Sequence, residues 1–489
     1  MKRLVPAILL LLGSTLGAVI LKSWVAVEPS RPVTPRLAGP QVDPLPVIAP
    51  TEHCNRVLVK TERIHPDPPP RPEPLVGSWP GFRGAARDNI AKDNVPLANS
   101  WSAAGPPRLW EIALGDGHAG AAVYDGRVYV LDYDEKQRRD ALRCFALDTG
   151  TEIWRSSYPI DVKRNHGMSR TVPAVNDRFV VTIGPMCQVM CVERATGTFV
   201  WGMDLERDYG TTVPLWYTAQ CPLLDGDTVV LAPAGKDLLM GVDCATGKIL
   251  WRTPNPQKWD MSHASIMPMQ FAGQSTYVYA ALGGLVCVAA GGNQTGETGW
   301  GDAVDSQAGK VLWESTAWDK RIVAPCPVQI SPTEVFMTSG HGAGSAVLDI
   351  APDGRSVAGV RVVEKSELAC EQQTPVLVKG HLFGVLPKDA GQYREQLVCW
   401  HPQRGVVWRS GAKRRFGLGP WVVGDDKIYI MDDRGTLTMI EATPDAYHEL
   451  GRAKILDGRD AWGPMALAGR RLILRDSTRM VCLDVGQDE

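Results

Sequence analysis

From Ser100 onward the chain sets short apolar runs against two-residue turns, the alternation of half-buried strands and not of helices. A run, a tight turn and a second run recur around Asp125-Gly126, Asn176-Asp177, Asp225-Gly226, Ala272-Gly273, Ser331-Pro332, Lys379-Gly380, Gly424-Asp425 and Ala468-Gly469. Pairs of the D-G and N-D type suit hairpins because their positive φ matches the twist of the flanking strands. After each hairpin comes an apolar residue, an acidic residue, a turn with glycine and then tryptophan. The clearest copies are Leu147-Asp148-Thr149-Gly150 to Trp154, Val192-Glu193 with Thr196-Gly197 to Trp201, Val242-Asp243 with Thr246-Gly247 to Trp251, and Val304-Asp305 with Gly309 to Trp313. Weaker copies are Leu348-Asp349 with Gly354, Trp400 with Gly405 to Trp408, Ile440-Glu441 and Leu483-Asp484.

Eight such modules, most about 45 to 50 residues apart, are the signature of a propeller or solenoid array, and four short strands per module select the propeller. The last module ends at Leu483-Asp484 without its tryptophan strand, whereas Pro107-Arg108-Leu109-Trp110-Glu111-Ile112 supplies one ahead of the first. The expected fold is therefore all-β: an eight-bladed β-propeller of four-stranded antiparallel blades, closed by an N-terminal strand in the last blade. Closure of that kind removes the edge that an open sheet would expose.

The chain before the repeats has a different character. Met1-Lys2-Arg3 leads into an apolar run from Leu4 to Leu21, a basic start followed by a hydrophobic segment, so residues 1–27 are read as an export signal or N-terminal membrane anchor. No small-residue cleavage site follows, which favours the anchor, and no cysteine stands directly after the run for a lipid to attach to. Residues 28–76 are rich in proline, culminating in Pro66-Asp67-Pro68-Pro69-Pro70-Arg71-Pro72-Glu73-Pro74, and read as a semi-rigid spacer. Residues 77–99 form a segment preceding the propeller, which occupies 100–489. The chain is expected on the extracytoplasmic, periplasmic side, anchored to the cytoplasmic membrane or secreted.

Composition narrows the partners. A formal charge of -2 and an isoelectric point near 6.5 lack the basic excess of a nucleic-acid binder. The abundance of glycine, proline and tryptophan fits many tight turns around aromatic-rich strands. Eleven cysteines are scattered singly with no C-x-x-C pair and none adjacent, so no zinc ribbon or disulfide framework is legible. Several of them, including Cys144, Cys399 and Cys482, fall at one place in the repeated strand, where a small apolar side chain suits blade packing.

The run T-G-x-x-x-W, seen in Thr149-Gly150-Thr151-Glu152-Ile153-Trp154 and Thr246-Gly247-Lys248-Ile249-Leu250-Trp251, resembles the D-x-x-T-G-x-x-x-W unit of the pyrroloquinoline-quinone repeat family, over roughly residue 100 to the C-terminus. Trp79-Pro80-Gly81-Phe82-Arg83-Gly84 with Arg87-Asp88 resembles a segment that precedes the propeller in many bacterial members, and is read as a clasp burying Trp79 and Phe82 against the side of the disc. The resemblance implies that each blade's tryptophan packs on the next blade. The family includes quinoprotein alcohol dehydrogenases, whose quinone and calcium sit in the central funnel over a vicinal disulfide, and the outer-membrane barrel-assembly propeller, an interaction scaffold. This sequence has no adjacent cysteine pair, and the calcium ligands and the aspartate base map onto no position in it. Shared fold does not confer shared chemistry.

The expected function is accordingly a non-catalytic scaffold with a protein partner on a propeller face and the membrane as a second contact through the N-terminus, and with no cofactor. The alternatives are a quinone-dependent dehydrogenase and a saccharide or peptide binder using the central channel. Residues just ahead of each hairpin should reach one mouth of that channel. They are His118, His166, Arg170, Tyr217, Gln220, His263, Arg321, Glu371, Gln372, Arg415, Asp460 and Trp462. Arginine forks there match carboxylate or phosphate geometry. The three histidines carry no local metal-binding spacing. The insertion from Gly291 to Gly301, bearing Trp300, lacks the Gly-Lys-Ser/Thr ending of a phosphate loop and is read as a surface loop. Lys413-Arg414-Arg415 reads as a solvated turn.

Overall fold

The computed structural model describes residues 59–66, 75–165, 167–291, 307–458 and 460–487. The leader, most of the proline-rich spacer, His166 and the insertion bearing Trp300 lie outside them. Among the described residues no helix is long and apolar enough to cross a membrane.

Eight antiparallel sheets follow one another along the chain. Blade 1 comprises Ala122–Tyr124, Arg127–Asp134, Arg139–Ala146 and Glu152–Pro159. Blade 2 comprises Ala174–Val175, Phe179–Ile183, Gln188–Glu193 and Phe199–Asp204, and blade 3 Leu223–Asp225, Thr228–Leu231, Asp237–Asp243 and Ile249–Pro254. Blade 4 is Met267–Phe271, Gln274–Ala281, Gly284–Ala289 and Val311–Ser315; blade 5 is Val328–Ser331, Glu334–Ser339, Gly344–Ile350 and Val357–Val363. Blade 6 is Val376–Val378, His381–Val385, Leu397–His401 and Gly405–Arg409; blade 7 is Trp421–Gly424, Lys427–Met431, Thr436–Glu441 and Glu449–Lys454. Blade 8 takes Ala466–Ala468, Arg471–Arg475 and Arg479–Asp484 from the C-terminus and its fourth strand, Arg108–Ala113, from ahead of blade 1. That strand runs antiparallel to Arg479–Asp484 with Trp110 opposite Cys482, so the ring closes as the sequence predicts.

Local chemistry explains the hairpins. Asp125 and Gly126 have φ of 48° and 68°, and Lys379 and Gly380 have 49° and 74°, the doubly positive turn that suits twisted strands. In blade 7 the turn falls one residue later than the sequence suggests, on Asp425 and Asp426.

The repeated motif builds both its own turn and a socket for the preceding blade. In blade 3 the Asp243 carboxylate accepts from Thr246 N at 2.8 Å and from Thr246 Oγ1 at 2.6 Å. Gly247 then adopts φ 72° and donates its N–H to the Asp243 carbonyl at 2.8 Å. A Cβ on Gly247 would stand 2.8 Å from the Trp201 ring of blade 2, whose Nε1 donates to the Cys244 carbonyl at 2.7 Å. The same dock joins Trp110 to Gly150, Trp154 to Gly197 and Trp251 to Gly309. Only glycine meets both demands, a left-handed backbone and a bare face for the indole. Truncating a buried tryptophan generally costs ~3–5 kcal/mol, so these docks carry much of the cohesion between neighbouring blades.

Opposite the tryptophan of the fourth strand the adjacent strand often presents a cysteine: Cys144 faces Trp154, Cys191 faces Trp201, Cys287 faces Trp313 and Cys399 faces Trp408. In blade 3 the position is Gly241, where a Cβ would lie 2.1 Å from Trp251. The ten described cysteines are all buried and unpaired, which is the packing role the sequence suggested.

Two segments ahead of blade 1 depart from the sequence reading. Within the proline-rich stretch, Lys60–Arg63 is a strand, pairing with Glu152–Pro159 as a fifth member of blade 1. The segment containing Trp79 does not lie against the side of the disc; it laces across the inner strands. Trp79 exchanges backbone hydrogen bonds with Val123 of blade 1, the Pro80 carbonyl accepts from Val175 N of blade 2, and Ile90–Ala91 pairs in parallel with Trp421–Gly424 of blade 7. Arg83 donates to the carbonyls of Thr374 and Pro375 at the start of blade 6, and Arg87 to that of Pro222 at the start of blade 3. Asp93 accepts from Gly469 N in blade 8. The strap is held because lead-in residues ahead of the inner strands leave carbonyls facing the axis, and long guanidinium side chains can reach several of them at once.

Candidate functional site

First strands of neighbouring blades touch around the axis, and the residues that lead into them line it. Those lead-ins are tied blade to blade. Val172 N donates to Cys221 Sγ at 3.2 Å, Cys221 N to Ser265 Oγ at 2.9 Å, Ser265 N to Cys326 Sγ at 3.2 Å, and Cys326 N to Thr374 Oγ1 at 2.9 Å. Hydrogen bonds passed from blade to blade make the wall of the channel a fixed frame.

Inside that wall lies a cavity of about 150 Å³ with Phe82 of the strap at one end. His118, Arg170, His263, Glu371, Gln372 and Trp462, six of the residues singled out from the sequence, line it. Trp216, His341 and Gln373 line it too and were not foreseen. Trp216 sits between two imidazoles, 6.2 Å from His263 at 23° and 6.2 Å from His341 at 25°. It is carried on the loop after a short helix, Leu205–Tyr209, started by the Asp204 side chain accepting from Arg207 N and ended by Gly210 at φ 72°. Trp216 and Tyr217 have φ of 67° and 70°, a left-handed pair of bulky residues that only surrounding contacts can hold. Such a pair leaves no mark in a sequence pattern.

The remaining residues expected at the mouth go elsewhere. Tyr217 donates its hydroxyl to the Lys163 carbonyl at 2.5 Å and anchors the loop, not the cavity wall. Gln220 is fully buried, with its amide donating to the Ala232 carbonyl and to Tyr279 Oη, each at 3.2 Å, and with Oε1 accepting from Ala232 N at 3.1 Å; it ties blade 3 to blade 4. Arg321 is exposed, Arg415 donates to the carbonyls of Arg394 and Gln392, and Asp460 is an exposed residue at φ 55° that precedes Trp462. Distance ahead of the hairpin fixes the blade but not the direction a lead-in side chain takes, and these loops differ in length. His166 lies outside the described residues.

The electrostatics of the cavity are simple. Burial holds the Arg170 guanidinium down at about 10, still charged at neutral pH. Burial and the Arg170 charge push His263 down to about 4, leaving it a neutral donor and acceptor. Glu371 accepts from Lys388 N at 3.3 Å. The Trp462 indole N–H donates to Asp433 at 2.9 Å, and burial raises that carboxyl. Among the described residues no group of three or more histidine, cysteine, aspartate or glutamate side chains is placed to hold a metal ion. What the site offers is one buried cation, the Glu371 carboxylate, amide and imidazole groups, and the Trp216 and Trp462 indoles packed against histidines.

No curated protein matches this chain in sequence. Of solved structures, a europium-containing methanol dehydrogenase superposes with a TM-score of 0.55 at 13% identity, over 81% of this chain and 89% of that one. The Dos1 propeller superposes at 0.50 with 10% identity, over 78% and 96%. BamB from Moraxella catarrhalis gives 0.37 at 12% identity, over 88% and 98%. At these identities the first two share the fold alone with this chain. The sequence family described as outer membrane protein assembly factor BamB matches residues 138–406, more than half of the 489 residues, and with the ring of tryptophan-docked blades around them this chain belongs to that family.

Proposed function

We propose that the protein is a non-catalytic scaffold on the extracytoplasmic, periplasmic side, tethered to the cytoplasmic membrane by its N-terminal apolar run, that binds a protein partner on one propeller face. The observation that carries this reading is the strap: Trp79 to Ala91 crosses the axis, so one end of the channel is occupied by the chain itself. A rigid ring with loops from every blade on its open face suits recognition. On that face Leu215, next to Trp216, is 67% exposed, an apolar side chain placed for a partner.

The quinone of the related dehydrogenases is the second reading, and the residues do not fit it. A cavity of about 150 Å³ is below the ~300 Å³ at which pockets for cofactor-sized molecules begin. Its donors are mostly nitrogen, with Glu371 the carboxylate in its lining, whereas calcium takes 6–8 oxygens. The sequence supplies no adjacent cysteine pair to lie under a quinone ring.

The test is photo-crosslinking in cells from a reactive amino acid placed at Leu215 of the full chain. The expected result is one discrete protein adduct recovered with the membrane fraction, absent when the reactive group is at Arg355 on the rim. Reproducible dye-linked alcohol oxidation after adding quinone and calcium, lost in Arg170→Gln, would overturn the scaffold reading, as would a Leu215 probe that captures nothing.

A further inference from the structure

Buried arginines gather along the axis, and one of them is left unfinished. A guanidinium presents Nε–H and one Nη–H as a parallel fork along one edge, the geometry that grips two oxygens or a single anion. In Arg475, 2% exposed, the fork is filled by the carbonyls of Asp476, Gly115 and Ser477. In Arg83 it is filled by the carbonyls of Arg87, Asp88 and Pro375. Arg87 is different. It is 4% exposed and gives Nη1 to the Pro222 carbonyl at 3.0 Å, while Nε and Nη2, the two atoms of the fork, have no hydrogen-bond partner among the described residues.

Charge is as incomplete as hydrogen bonding. Asp132, Asp476 and Asp116 act on Arg475, and Asp88 acts on Arg83. The groups that act on Arg87 are the thiols of Cys221 and Cys326, and Arg83 and Arg87 lie close enough to repel each other. Burial pushes the Cys221 thiol up to about 11, so it is neutral at pH 7 and no counter-ion. Arginine does not escape by losing its proton. A buried cation with neither full pairing nor counter-charge is costly, and an anion at the fork offsets that cost.

The surroundings select the anion. The Arg87 guanidinium lies 5.8 Å from the Phe82 ring, and Phe82 and Cys221, the neighbour of Pro222, both line the axial cavity. Phe82 is only partly buried and is the side chain that must swing to admit an ion from there. Sulfate, phosphate or an organic acid would carry oxygens beyond those the fork can hold, and the rest of the site, an aromatic ring and thiols, gives them no strong donor. A single-atom anion needs no more than the fork.

We propose that a halide ion, chloride being the physiological one, binds at the Arg87 fork behind Phe82 and fastens the strap to the start of blade 3. The site lies beneath the cavity and apart from Leu215, so its failure leaves the partner-binding reading untouched.

The test is thermal melting of the full chain in sodium gluconate and in sodium chloride at constant ionic strength, alongside bromide anomalous diffraction from its crystals. On exchange of gluconate for about 100 mM chloride the wild type is expected to gain about 2 °C or more relative to Arg87→Met, a gain that Arg355→Met on the rim retains. Bromide is expected in contact with Nε and Nη2 of Arg87. No gain over Arg87→Met overturns the proposal, as does bromide found only at other positions. The diffraction measurement uses the wild type, so it decides the matter even if Arg87→Met fails to fold.

Discussion

Asp140 is a carboxyl group sealed in blade 1, opposite Tyr133 and Tyr158, with no exposure to water. It accepts from Tyr158 Oη at 2.7 Å and Ser169 Oγ at 3.1 Å, yet burial outweighs both and, with some repulsion from Asp132, raises its pKa from 3.8 to about 7. The folded chain therefore holds a proton that the unfolded chain gives up near the ordinary aspartate range. Stability from this group is fully present below about pH 4, declines as pH rises, and is gone above about pH 7. At ~1.4 kcal/mol per pH unit the span is a few kcal/mol. Asp140→Asn removes the charge and keeps a polar contact to each hydroxyl, its oxygen accepting from one while its NH2 donates to the other. Thermal melts at pH 5 and pH 8 should show the wild type losing stability relative to Asp140→Asn as pH rises; parallel behaviour of the two would show that this carboxyl ionises freely in the fold.

At the same scale, what could be read from the sequence was whatever repeats. Gly150, Gly197, Gly247 and Gly309 and the tryptophans they receive recur at fixed offsets, so eight chances to see one rule made it visible. Asp140, Arg87 and Trp216 occur once each. Their meaning depends on which residues of other blades surround them, and no local pattern records that. Half of the foreseen channel residues reach the cavity because every lead-in must pass the axis; of the others that are described, Tyr217 and Arg415 turn to backbone carbonyls, Gln220 to blades 3 and 4, and Arg321 and Asp460 to solvent.

Among the elements, the strap and the added strand of blade 1 are held by different means. Lys60–Arg63 has no apolar face, and what fixes it is the main-chain ladder to Glu152–Pro159 with Thr61 Oγ1 donating to the Gly197 carbonyl at 3.1 Å. A polar strand added to an edge does not announce itself by hydrophobic alternation, so the composition suggested only a spacer. The strap is fixed by side chains reaching inner carbonyls. Arg83, Arg87 and Asn89 take φ of 65°, 55° and 68°, strained positions for non-glycine residues that the surrounding bonds must hold in place. Arg83→Lys retains the charge but not the planar fork that spans four carbonyls, and should lower stability by about 2–3 kcal/mol. Chemical denaturation would measure this. A loss below about 0.5 kcal/mol would mean that the strap stands on Trp79 and its pairing with blade 7 alone.

For the molecule as a whole, the decisive contact is between its two ends. Arg108–Ala113 lies ahead of blade 1 in sequence but completes blade 8, and its Trp110 docks on Gly150 of blade 1, giving Nε1 to the Leu147 carbonyl at 2.8 Å. One six-residue strand thus joins the last blade to the C-terminal strand on one side and to the first blade on the other. Remove it and Arg479–Asp484 becomes a bare edge of mainly apolar residues, with Cys482, Val481 and Leu483 stripped of their cover. The loss is not confined to blade 8, because a ring distributes strain through every dock between blades. A chain lacking residues 101–114 is therefore expected to give no cooperative melt as a monomer and to elute as aggregates in size-exclusion chromatography, whereas removing 59–66, which only thickens blade 1, should leave a folded monomer with a slightly lower melting temperature. An unchanged melt in the chain lacking 101–114 would mean that the other docks hold the disc without this strand.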